Sequence, residues 1–103
     1  DITMAMLHTV NKSPFESNSF ETCLGLAKSG STVLLFEDGV YAATAGTSAA
    51  DAISNANGIT FAVLGPDAQA RGIDGKLADG IKVVDYDGFV DLVAESDQVQ
   101  AWL

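Results

Sequence analysis

The sequence predicts an α/β protein, a three-layer sandwich around a mostly parallel sheet of about four to five strands, folded as a single domain over residues 6–103. Two observations carry this expectation. Short apolar runs at 6–10, 31–36, 59–64 and 81–84 alternate with amphipathic stretches, and that alternation implies parallel pairing through right-handed crossovers. The runs are also nearly continuous in apolar residues, as expected of strands covered by helices on both faces.

The first strand is expected over 6–10 and is followed by a turn through Lys12-Ser13-Pro14-Phe15. Asn18 with Glu21 three residues later has the spacing of a capping box, and Phe20, Cys23, Leu24 and Ala27 then repeat along one helical face. Lys28 is expected in the last turn of this helix and Gly30 just past its end. A stronger strand at 31–36 stops at Glu37-Asp38-Gly39. The next helical pieces are expected at 40–45, broken by Gly46, and at 48–57, with Ser48 as the cap and Asp51 near the positive end. The run at 59–64 is followed by a helical turn over 67–71 that Gly72 stops. Residues 73–80 read as a polar connection containing Leu77. After the strand at 81–84, Asp85-Tyr86-Asp87 opens a last helix with Phe89, Val90, Leu92 and Val93 as its apolar face. The apolar tail Val99-Gln100-Ala101-Trp102-Leu103 reads as an edge strand or a docking surface. Residues 1–5 are read as an N-terminal extension, with Met4 or Met6 as the natural start.

Composition narrows the function. A net charge of −9, from fourteen acids against five Lys and Arg, argues against direct nucleic-acid binding and against an anionic membrane surface. No apolar run reaches the roughly 18 residues of a membrane span, so a soluble, cytoplasmic protein is expected. One cysteine and one histidine leave no basis for an internal disulfide or a self-contained zinc site. No dinucleotide, P-loop, nucleophile-elbow or zinc-protease motif is present, so no cofactor and no metal are expected.

In a parallel sheet, sites collect beyond the carboxyl ends of the strands. That edge would be built from Asn11-Lys12-Ser13, Glu37-Asp38-Gly39, Gly65-Pro66-Asp67 and Asp85-Tyr86-Asp87. Cys23 is the leading catalytic candidate, because a thiolate is the nucleophile of sulfur chemistry and a helix N-terminus favours the anion. Its second-turn position weakens that help, and a small buried hydrophobe is the competing reading. His8 is a candidate proton shuttle or thiol partner against a histidine bonded under a loop. Lys12 could approach the thiol if the turn folds back. Glu37 and Asp38 could act as acid and base or bind a hard cation, against a simple role at a helix entrance. Lys12 and Arg71 could face an anion or simply be solvated.

Leu7-His8-Thr9-Val10-Asn11-Lys12-Ser13-Pro14-Phe15, Leu34-Leu35-Phe36-Glu37-Asp38-Gly39-Val40-Tyr41-Ala42-Ala43, Val63-Leu64-Gly65-Pro66-Asp67 with Ala70-Arg71-Gly72, Val84-Asp85-Tyr86 with Phe89-Val90, and Gln100-Ala101-Trp102-Leu103 together resemble the DsrH/TusB family over nearly the whole chain from Met6. The resemblance implies a DsrE-like, flavodoxin-like fold and a small sulfur-relay subunit, assembled with DsrE and DsrF (or TusD and TusC) as a hetero-hexamer with two copies of each.

Within the family, TusB proteins serve tRNA 2-thiolation and typically lack a cysteine in the first helix, whereas DsrH of sulfur oxidisers has one at the position matched by Cys23. The stretch Glu37-Asp38-Gly39-Val40-Tyr41 also reads more like DsrH. The resemblance therefore implies cytoplasmic sulfur trafficking in sulfur oxidation, with a DsrC-like acceptor or donor and Cys23 as a persulfide carrier. It also implies that the principal sulfur-carrying cysteine lies on DsrE or TusD. A non-catalytic structural subunit is the alternative.

Overall fold

The computed structural model describes residues 6–103; the expected N-terminal extension and the Met4 start lie outside the described residues. Five parallel strands, β1 (Met6–Val10), β2 (Thr32–Leu35), β3 (Thr60–Leu64), β4 (Lys82–Val84) and β5 (Gln98–Trp102), form one sheet in the order β4-β3-β2-β1-β5. Helices α1 (Ser19–Leu26), α2 (Ser48–Asn55), α3 (Gly65–Ala70) and α4 (Tyr86–Glu95), with a 3₁₀ segment at Glu37–Ala43, make the connections.

This order fixes which face each helix covers. From β1 to β4 the chain always steps the same way along the sheet, so right-handed crossovers put every connection on one face. From β4 to β5 it returns across the whole sheet, which sends α4 alone to the other. The core divides accordingly. One cluster joins Val10, Val33, Leu35, Phe61 and Val63 of the sheet to Phe20 and Cys23 of α1, Val40 of the 3₁₀ segment, Ile53 of α2 and Ala68 of α3. The other holds Leu7, Leu34 and Ala62 under Phe89 and Leu92 of α4.

Several local expectations are corrected. Asn18 does occupy the cap position of α1, but at φ −94 and ψ 10 its side chain makes no cap bond. The Ser17 hydroxyl instead accepts from Ser19 N at 3.2 Å, and Thr22 Oγ1 donates to Asn18 O at 2.9 Å. The chain turns extended at Ala27, so no basic residue lies in the last turn of α1. Lys28 belongs to the following turn, which Ser31 N closes onto Lys28 O at 3.0 Å, and Gly30 at φ 93 serves that turn rather than the helix end. Thr47, not Ser48, caps α2 by accepting from Ala50 N at 3.2 Å; α2 ends at Asn55 rather than residue 57.

The 3₁₀ segment begins three residues earlier than expected, because Phe36 N donates to Val10 O and seats it against the end of β1. A Cβ on Gly39 would collide with that same Val10 carbonyl. α3 begins at Gly65 rather than Asp67. The polar connection is pinned by an antiparallel bridge from Thr44 to Leu77. The tail is the edge strand β5, paired with β1 from Met6–Gln98 to Val10–Trp102.

Candidate functional site

Cys23 enters the core because α1 returns across β1 with its Phe20–Cys23 face inward. The thiol is fully buried among apolar neighbours. Burial pushes its pKa up to about 11, since the thiolate would be stripped of water without a compensating cation. As packed, it is a protonated, closed-off group.

His8 points to the same side of β1 as Val10, by strand alternation, and is also buried. Its Nδ1 accepts a hydrogen bond from Trp102 Nε1 at 3.0 Å, across the β1–β5 seam. An indole nitrogen only donates, so Nδ1 carries no proton and the imidazole is the neutral Nε2–H form. Among the described residues that Nε2 is buried with no partner, so no hydrogen bond joins His8 to Cys23. Desolvation lowers the His8 pKa, which keeps the ring neutral. Lys12 stands exposed on the turn after β1.

The acidic loops at the carboxyl edge are tied to one another. Asp67 Oδ2 accepts from the backbone N–H of Glu37 at 2.6 Å, and Arg71 Nε pairs with Asp38 Oδ1 at 2.9 Å. Arg71 also reaches Asp67 O at 3.3 Å. Asp38 and Arg71 thus staple the loop after β2 to α3, with Glu37 held at φ 48. A groove of about 320 Å³ opens between the Pro14–Phe15 turn, α1 and the start of α2. Phe20 and Leu24 line it, whereas Cys23 does not. Among the described residues no three or more His, Cys, Asp or Glu gather as metal ligands, and no helix is long and apolar enough to cross a membrane.

The structure therefore puts Cys23 and His8 in one buried layer, leaves Lys12 on the surface, and commits Asp38 and Arg71 to each other. Sequence reasoning missed Trp102 as the partner of His8. The only signal was the unusual apolar tail, and its partner strand could not be assigned without the sheet order. It also missed Asp67, whose role depends on two loops distant in sequence.

A protein-family model described as DsrH like protein matches residues 12–99. The chain is 36% identical over 99 residues to Protein TusB of Pectobacterium parmentieri, covering 94% of this chain and 100% of that protein. Protein TusB of Escherichia coli (strain K12) is 36% identical over 97 residues, with 94% and 100% covered. In fold, the chain is similar to the ychN protein from E. coli, with a TM-score of 0.82, 18% identity, and 96% and 99% of the two chains covered. It is similar also to MTH1491 from Methanobacterium thermoautotrophicum, at TM-score 0.69 and 16% identity, over 95% and 99% of the two chains.

Proposed function

Because the chain belongs to the DsrH/TusB family, we propose that it is a cytoplasmic sulfur-relay subunit whose part is structural: it packs beside the sulfur-carrying chains and helps shape the surface on which sulfur is passed on. The observation that carries this is the state of Cys23, fully buried with its thiol held protonated. A relay thiol must be an accessible anion, so the reactive cysteine is assigned to another subunit. The complex proposed is the family's hetero-hexamer, with two copies each of this chain and of DsrE- and DsrF-type (or TusD- and TusC-type) subunits. Identity to TusB proteins supports a relay serving tRNA 2-thiolation; the presence of Cys23 supports the sulfur-oxidation branch, in which DsrC exchanges sulfur with the complex.

A second reading keeps Cys23 as a carrier, favoured by its place in the first helix, where the DsrH resemblance expects a thiol. α1 would open locally. The Cys23 thiolate would attack the terminal sulfur of a donor persulfide, the donor thiolate would leave, and an acceptor thiolate would later take that sulfur and release Cys23. His8, once released from its Trp102 hydrogen bond, would accept the thiol proton, and Lys12 would steady the anion.

Intact-mass analysis of the assembled complex after incubation with a persulfidated donor separates the two. The expected result is sulfur on a partner subunit and none on this chain, unchanged by Cys23→Ser. A one-sulfur adduct on this chain that Cys23→Ser removes would establish the carrier reading instead.

A further inference from the structure

α4 covers its face of the sheet with only two of its apolar side chains. Phe89 and Leu92 turn inward, whereas Tyr86, Val90 and Val93 are 61%, 63% and 40% exposed. The three fall at i, i+4 and i+7, one stripe along the flank of the helix. Asp87, Asp91 and Glu95, at i, i+4 and i+8, form an acidic line on its solvent side. α4 contains no basic residue, and none follows Lys82 to the end of the chain.

We propose that this flank of α4 is a docking surface for a different protein chain, one presenting an apolar patch edged by Lys or Arg. Charge selects the occupant. A second copy seated on the stripe would bring a second acidic line against the first, on a chain already at −9, and like charges set together oppose association. A partner with a basic rim meets the acids favourably and covers the valines and tyrosine. This rests on the reading of the chain as a subunit of a multi-chain relay, and it assigns the contact to one helix.

The test co-expresses the chain with the DsrE- and DsrF-type subunits of the same source and measures assembly by sedimentation at low and high salt. The variants are Val90→Arg, Asp87→Asn with Asp91→Asn, and Leu26→Arg, an equally exposed apolar position on α1 that serves as control. Urea midpoints confirm that each variant is folded. Val90→Arg is expected to weaken assembly about a hundredfold or more. The paired Asp changes are expected to weaken it about tenfold at low salt and to match wild type near 1 M salt, where charges are screened. The Leu26→Arg control is expected to assemble normally.

Assembly indifferent to Val90→Arg overturns the α4 assignment and leaves the relay reading standing, as does equal loss in the Leu26→Arg control. A homodimer of the isolated chain that Val90→Arg breaks overturns the choice of occupant. No assembly of the wild type with these subunits overturns the relay reading, and this inference with it.

Discussion

On one face of the sheet, three α-helices and the 3₁₀ segment bury Val33, Leu35 and Val63 completely; on the other, α4, alone among the described elements, covers Leu7, Leu34 and Ala62 and leaves Val90 and Val93 in solvent. The strands contribute similar residues to both sides, so the contrast comes from connectivity. Four strands laid down in one direction force their crossovers to one face, and a single return crossover serves the other. The deep face holds the larger buried cluster, and Cys23 and His8 lie on it. The shallow face carries the unpartnered apolar stripe. A cysteine drawn into the deep face loses its chemistry to desolvation, while a helix left alone on the shallow face has surface to spare for association.

The largest test of this contrast is truncation on each side. Leu35→Ala should lower stability by about 3 kcal/mol, the cost of a buried leucine and the cavity it leaves. Leu92→Ala, at a half-buried position on α4, should cost about 1–2 kcal/mol, because less area is lost and solvent can fill the space. Urea midpoints at unchanged m-value measure both; equal losses would erase the distinction between the faces.

An intermediate effect is expected from pH, and it belongs to the deep face alone. The folded-state pKa of His8 is depressed by burial, so between its ordinary value of about 6.5 and that lower value the unfolded chain binds the extra proton. His8 therefore adds stability above pH 6.5 that is lost as pH falls, with a slope of at most about 1.4 kcal/mol per pH unit. Protonation would also set Nδ1–H against the Trp102 donor. Urea midpoints between pH 8 and 5.5 should fall for the wild type and stay flatter for His8→Gln. A flat wild-type profile would remove His8 from the account of the core.

The smallest effect is expected at the rim. The Asp38 and Arg71 side chains are 54% and 25% exposed, so Asp38→Ala should cost under about 1 kcal/mol and less in high salt. A loss as large as that of Leu35→Ala would mean that the loop staple, not the deep face, holds this end of the sheet together.

Much of the architecture was legible in the residues themselves. The apolar runs at 6–10, 31–36, 59–64 and 81–84 are strands within a residue or two, because a run of that length bounded by Gly, Asn, Asp or Glu has few other uses. Helix ends were read less well. Asn18 and Ser48 each lie beside the hydroxyl that does the bonding, Ser17 and Thr47, and neighbouring Ser, Thr and Asn compete for one N–H at almost equal free energy. The candidate site was legible as a set of residues but not as an arrangement. Cys23 could be placed on an inward stripe, yet how deeply it sat depended on what the rest of the chain laid over it.

What the sequence determined by itself was the alternation of strand and helix, the acidic surface, and the single thiol on an inward stripe, since these follow from local spacing and charge. Only the tertiary structure decided that β5 lies beside β1, so that Trp102 meets His8 across 94 positions, and that α4 crosses its face alone. Those outcomes depend on strand order and crossover handedness, which relate segments far apart in the chain and leave no trace in the spacing of neighbouring residues.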